Sequence, residues 1–142
     1  MKLVIAATGA SGTIYLQRLL DQIDCSAHEV HLVLSAHAKQ VAEQELDHFK
    51  IPASVSQHSE NDLNVPFVSG SARFDAMVVV PCSLSTVASI AHGITMNLIH
   101  RAASVSAISV QWPGGVSLAG PSAQYSAIIF VVSSSCALSA RT

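Results

Sequence analysis

Three short strand-like runs, each closed by small or hydroxyl-bearing residues and followed by a helical stretch, constrain this chain more than any other feature. Residues 3–7 and 76–80 are continuous apolar runs, as expected of strands covered on both faces of a parallel sheet. Residues 29–34 alternate towards a further strand. Residues 11–23, 36–46, a stretch from Ser83 to about His92, and 94–103 read as helices. In the first, Ile14, Leu16, Leu19, Leu20 and Ile23 lie near 3.6-residue spacing. In the second, Ala38, Val41, Ala42 and Leu46 can share one inner face. Ser83 or Ser85 can cap the third. This strand–helix alternation predicts an α/β fold: a three-layer αβα sandwich with a parallel sheet and right-handed crossovers.

The pattern has two weak stretches. Residues 51–71, with Pro52, Pro66 and Gly70, read as a long surface connection of the kind that often carries function. Beyond Ser104 the periodicity fades: Trp112-Pro113-Gly114-Gly115 suggests a turn and residues 128–132 a strand, without an amphipathic helix. Charge changes at the same place. Every acidic residue lies at or before Asp75, and after Arg101 the only charged side chain is Arg141.

A length of 142 residues predicts one domain, with a core burying about 68–70% of the unfolded surface. Half of the residues are apolar and 11% are charged, against a usual share of about 25%, which excludes charge-driven disorder. Seven Lys+Arg against nine Asp+Glu give a net charge of −2 with no basic stripe, which argues against nucleic acid as a partner. No apolar run approaches the roughly 20 residues of a spanning helix, so no membrane segment is expected. Cys25, Cys82 and Cys136 lack metal-type spacing. They predict neither a disulfide framework nor a metal site, and a cytoplasmic location is the default.

The loops carry the chemistry. Thr8-Gly9-Ala10-Ser11-Gly12, Ser35 and Ser83-Leu84-Ser85-Thr86 each follow a predicted parallel strand, where open α/β sheets bind ligands. Small residues in the first loop allow close backbone approach, and its N–H groups with the next helix dipole favour a phosphate. The loop has neither a P-loop lysine nor Gly-x-Gly-x-x-Gly spacing, which disfavours NTP hydrolysis and a standard NAD site. Flavin mononucleotide, or another singly phosphorylated ligand, fits better. Ligand-free turns and plain helix caps use the same residues, so the argument rests on recurrence after three strands. Cys82 reads as an apolar filler, and the scattered histidines as solvated or structural. Glu45 is a solvated glutamate or an acid/base group. Asn97 and Arg101, four apart, form a surface pair or bind an anion or a neighbouring subunit.

Five motifs in order resemble the UbiX flavin prenyltransferases, over about residues 1–105. They are Thr8-Gly9-Ala10-Ser11-Gly12 with Tyr15, Val30-His31-Leu32-Val33 with Ser35, Val68-Ser69-Gly70-Ser71, Val80-Pro81-Cys82-Ser83 with Thr86, and Asn97-Leu98-Ile99 with Arg101-Ala102-Ala103. The resemblance implies a flavodoxin-like or Rossmann-like sandwich that binds FMN and needs no metal. It implies transfer of a dimethylallyl group from dimethylallyl phosphate to reduced FMN, alkylating flavin N5 and C6. The prenylated FMN then serves a UbiD-type decarboxylase. It also implies a homo-oligomer, often a dodecamer. Gly9, Ala10 and Ser11 match the first cofactor loop, Ser35 the second contact, and Ser83, Leu84, Ser85 and Thr86 the third. Ser11 also matches a serine near the reacting flavin. Glu45, ten positions after Ser35, matches a glutamate tied to the chemistry.

Departures accompany the match. Ser85 stands where the family usually has Lys or Gly, Ser104 where it has Asp, and Leu63 where some members have an aromatic residue over the prenyl pocket. From Val105 the family's Leu-Lys-Glu-Arg-Arg helix end, its Arg-Glu-Thr-Pro motif and its later Tyr and basic residues are missing. The expected division is therefore an FMN-binding part, residues 1–104, and an atypical tail, residues 105–142, from a frameshifted or truncated reading frame; a diverged relative is the alternative. Prenyl transfer is the leading activity. An FMN-binding module without prenyl transfer, or an inactive fragment, is the runner-up.

Overall fold

The computed structural model describes residues 1–69, 74–109, 117–119 and 128–133. Its strands are β1 (Lys2–Ala7), β2 (Glu29–Leu34), β3 (Ser56–Ser59), β4 (Ala76–Cys82), β5 (Ser117–Ala119) and β6 (Ile128–Ser133). Its helices are α1 (Thr13–Gln22), α2 (Ala36–Glu45), α3 (Leu84–Ala91) and α4 (Leu98–Ser109), with a single 3-10 turn at Pro66–Val68. One sheet holds all six strands in the order β3-β2-β1-β4-β6-β5. The first four run parallel, with Lys2 opposite Glu29, Leu3 opposite Ala76 and His31 opposite Ser56.

The layers follow from the two-residue period of β1. Ile5 and Ala7 face one side and join Leu16 and Leu20 of α1, Ala38 of α2, and Val30 and Leu32 of β2. Val4 and Ala6 face the other and join Met77, Val79, Phe67 and the Leu98, Ile99, Ala102 and Ala103 stripe of α4. The αβα sandwich predicted from the alternation is thus the observed architecture. Ala38 and Ala42 are buried as expected, with Val41 and Leu46 half-buried, whereas Ile14 turns outward at 41% exposure.

Four expectations need correction. The stretch 51–71 is not one long connection, because it contains β3. Its Ser56-Gln57-His58-Ser59 sequence has no apolar pattern, and it is an edge strand paired through its backbone with β2. Gly70 and Ser71 lie outside the described residues. β4 runs on through Pro81 and Cys82 rather than stopping at Val80, since Pro81 at the strand end accepts through its carbonyl, from the Thr8 N–H at 3.0 Å. The last helix starts at Leu98, not 94, and continues to Ser109. The sheet is not wholly parallel: β6, over the expected 128–132 segment, pairs antiparallel with β4 and with β5. The expected turn at Trp112–Gly115, with Cys136 and Arg141, lies outside the described residues.

Two histidines clasp the β2–β3 edge. His31 Nδ1 lies 3.0 Å from His58 Nε2, and both rings pack on Phe67 with centroids 5.2 and 5.3 Å away. Burial first, and then the positive charge that His31 can carry, push His58 below its ordinary 6.5, against a smaller opposing pull from Asp62. Burial pushes His100 the same way, against Glu60. Both imidazoles are held neutral in the fold, so the unfolded chain takes up protons first on acidification. Their contribution is full above the ordinary value and is lost as pH falls through the lowered one. The melting temperature is therefore expected to fall as the pH drops below about 6.5. His58→Gln should make that fall shallower in a pH series of thermal melts.

Candidate functional site

The turn of winding between β1 and β4 opens a crevice at the carboxyl ends of the parallel strands, the usual ligand position in such sheets. Thr8 closes its floor. Its Oγ1 accepts the Ser83 N–H at 2.7 Å and donates to the Pro81 carbonyl at 3.3 Å, joining the loop after β1 to the loop after β4. On the other flank the Ser35 N–H donates to the Ala7 carbonyl at 3.1 Å. Gly9 is required by space, because a Cβ there would sit 2.5 Å from His37 Cβ in the first turn of α2. Gly12 ends the loop in the left-handed region, at φ 110°, where a residue with a Cβ is strained.

Ser35 and Ser83 are helix caps. Ser35 is buried and its Oγ accepts the Ala38 N–H at 3.0 Å; Ser83 Oγ accepts the Thr86 N–H at 3.3 Å. Ser83, not Ser85, is therefore the cap of α3. Its hydroxyl also lies 3.0 Å from both Ser85 Oγ and Thr86 Oγ1, a compact group of three hydroxyls over the first turn of α3. Leu84 stands beside it, 73% exposed. Gly9, Ala10, Ser11, Ser35, Ser83, Leu84, Ser85 and Thr86 thus gather along one edge from three separate loops.

Glu45 joins them from the last turn of α2. Its Oε2 accepts the Thr13 N–H at 2.7 Å and the Gly12 N–H at 3.0 Å, and its Oε1 lies 3.1 Å from the same Gly12 nitrogen. Burial alone would raise this carboxyl. The Thr13 and Gly12 amides, with the hydroxyls of Ser11 and Thr13, outweigh it and hold the group below its ordinary value. Glu45 is an ionised acceptor at neutral pH and is held by its partners, not a loosely solvated glutamate. The helix end expected to receive a phosphate, the start of α1, is filled by the chain's own carboxylate.

Glu60 went unrecognised in the sequence because β3 did. It directly follows that strand. Its Oε1 accepts the Ala36 N–H at 2.7 Å, and its Oε2 accepts from Asn97 Nδ2 at 3.1 Å. Asn97 does not pair with Arg101 through its side chain; its Oδ1 accepts the His100 N–H at 3.0 Å and caps α4. Arg101 instead lines a cavity of about 290 Å³ with Leu63, Val68, Thr95, Met96 and Asn97. Burial pushes the Cys82 thiol up to about 12, against a weaker opposing hydrogen bond from Thr8, so it stays protonated, in keeping with its reading as a filler. Among the described residues no group of His, Cys, Asp and Glu is arranged to hold a metal ion, and no helix is long and apolar enough to cross a membrane.

Replacing Glu45 with Ala removes the acceptor at the start of α1. The expected loss of stability is about 0.5–2 kcal/mol at pH 7, in the range of a helix cap. Because the folded carboxyl lies below its ordinary 4.5, the contribution is present above that value and disappears as pH falls through the lowered one. Urea unfolding at neutral and acidic pH checks it: the difference between wild type and Glu45→Ala should close on acidification.

Known proteins resemble this chain in sequence and fold. Residues 1–126 match the Flavoprotein family. The chain is 45% identical over 104 residues to the flavin prenyltransferase UbiX of Methanocaldococcus jannaschii, covering 71% of this chain and 56% of that protein. Among solved structures, a UbiX in complex with FMN and dimethylallyl pyrophosphate is similar at TM-score 0.67 and 38% identity, covering 73% of this chain and 57% of the other. A dodecameric FMN-dependent UbiX-like decarboxylase from Escherichia coli is similar at TM-score 0.63 and 37% identity, covering 74% and 60%. The chain thus spans less than two thirds of the length of each of these relatives. With its sandwich fold and a match over residues 1–126, the chain belongs to the Flavoprotein family.

Proposed function

We propose that this chain supplies the flavin-binding part of a flavin prenyltransferase, with FMN held by the loops at the carboxyl edge. The observation that carries this reading is how the helix N-termini there are used. Glu45 occupies the start of α1, and Glu60 takes the first amide of α2. Among the described residues, no acidic side chain is hydrogen-bonded to the start of α3, which bears the Ser83, Ser85 and Thr86 hydroxyls. A phosphate is best accommodated where the helix dipole and neutral donors are free of a competing anion. The FMN phosphate is therefore assigned to Ser83–Thr86. Gly9, Ala10, Ser11 and Ser35 flank the remainder of the cofactor, and Leu84 offers it an exposed apolar surface.

Bound reduced FMN would supply the nucleophilic ring atoms that accept a dimethylallyl group. Ser11 and Glu45 act as a unit: two backbone amides hold the carboxylate, and the Ser11 hydroxyl helps to keep it ionised. An ionised Glu45 can stabilise positive charge developing on an allylic carbon; it is not set to donate a proton. The cavity lined by Leu63, Val68, Met96 and Arg101 pairs apolar walls with one cation, a composition suited to dimethylallyl phosphate. Exposed Ile94, Leu63 and Met96 support assembly with further copies of the chain. A cytoplasmic homo-oligomer that passes its prenylated flavin to a UbiD-type decarboxylase completes this reading.

Titration of FMN fluorescence tests the assignment, with riboflavin as the ligand that lacks the phosphate. FMN should bind more tightly than riboflavin. A Ser83→Ala, Thr86→Ala variant should lose about ten-fold or more in FMN affinity while binding riboflavin as before. Equal affinity for both flavins would contradict the phosphate site. Formation of prenylated flavin from reduced FMN and dimethylallyl phosphate without oxygen tests the transfer step. FMN binding without turnover would make the chain a flavin-binding module.

A further inference from the structure

We propose that Glu60 is a positioning residue that ties the Ser35 turn to the Asn97 turn, so that the cofactor loop and the neighbouring cavity are held as one body. The inference rests on the flavin reading above and adds to it a residue that the sequence motifs did not contain.

Three contacts carry it. The Glu60 side chain takes the first amide of α2, at Ala36, next to the Ser35 cap. The same carboxylate takes the Asn97 side-chain amide, and the Glu60 main-chain carbonyl accepts the Leu98 N–H at 2.8 Å. Asn97 in turn caps α4 through the His100 N–H, and its carbonyl accepts the Arg101 N–H at 3.0 Å. One half-buried residue at the end of β3 therefore fixes the starts of two helices that β2 and β4 alone would not connect. The first helix presents Ser35 to the crevice. The second carries Asn97 and Arg101 on the wall of the cavity.

The charge has its own consequence. A carboxylate at the start of α2 satisfies that helix end from within the chain, which leaves Ser35 to offer a neutral hydroxyl rather than an anion cradle. Glu60 thus acts through Ser35 and Asn97, and need not touch the ligand itself.

Amide hydrogen exchange on the flavin-free chain, combined with FMN titration, tests the proposal on Glu60→Ala, Glu60→Gln, Ser35→Ala and the Ser35→Ala, Glu60→Ala double variant. Glu60→Ala should speed exchange at Ala36 and Leu98 together, although the Leu98 partner is a main-chain carbonyl that the substitution leaves in place. Exchange at Gly12 and Thr13, held by Glu45, should not change. Glu60→Gln keeps one acceptor, for Ala36, but sets an amide nitrogen against the Asn97 amide, so it should hold the Ala36 turn and still speed exchange at Leu98. FMN affinity should fall about ten-fold in Glu60→Ala, recover to within about three-fold of wild type in Glu60→Gln, and fall no further in the double variant than in the worse single one. Faster exchange at Ala36 alone overturns the coupling. Unchanged FMN affinity in Glu60→Ala, or additive losses in the double variant, overturns the positioning role and leaves the flavin reading standing. A wild-type chain that binds no FMN overturns both.

Discussion

Burial of β1 on both faces is the constraint on which everything else rests. Val4, Ile5, Ala6 and Ala7 are each at most 1% exposed, which requires α1 and α2 on one side and α4 on the other. Once β1 is sandwiched, β2 and β4 must pair on its two edges, and the loops that leave all three strands emerge at the same end. Thr8, the first residue beyond β1, then bonds to the residues that close β4. The crevice is a by-product of a strand that cannot be left uncovered.

On the proposed reading, the distribution of negative charge in that crevice determines where the FMN phosphate goes. Two of the helix starts carry acidic side chains from elsewhere in the chain, Glu45 on α1 and Glu60 on α2. Glu45 takes the Gly12 and Thr13 amides and Glu60 takes the Ala36 amide, so displacing either carboxylate would leave backbone amides without that partner. At the start of α3, with its three hydroxyls and its own serine cap, no acidic side chain is hydrogen-bonded among the described residues.

Much of this was legible in the sequence, for physical reasons that can be named. Leu3–Ala7 and Met77–Val80 read as strands because strands buried on both faces must be apolar at every position. The loops read as a site because small and hydroxyl residues recur after each strand. β3 was illegible because an edge strand with polar Ser56-Gln57-His58-Ser59 needs only backbone pairing, and that leaves no periodic mark. Its loss hid Glu60. The start of α1 looked open to phosphate because the glycines are local in sequence, whereas Glu45, which fills it, lies 33 positions from Gly12. Motif matching marked Glu45 as chemically important; only the fold shows which amides it holds.

A crystal structure of the chain grown with FMN tests the central claim most directly. The account predicts phosphate density within hydrogen-bonding distance of Ser83, Ser85 and Thr86, with Glu45 still on the Gly12 and Thr13 amides. Phosphate at the start of α1 with Glu45 swung away would contradict it.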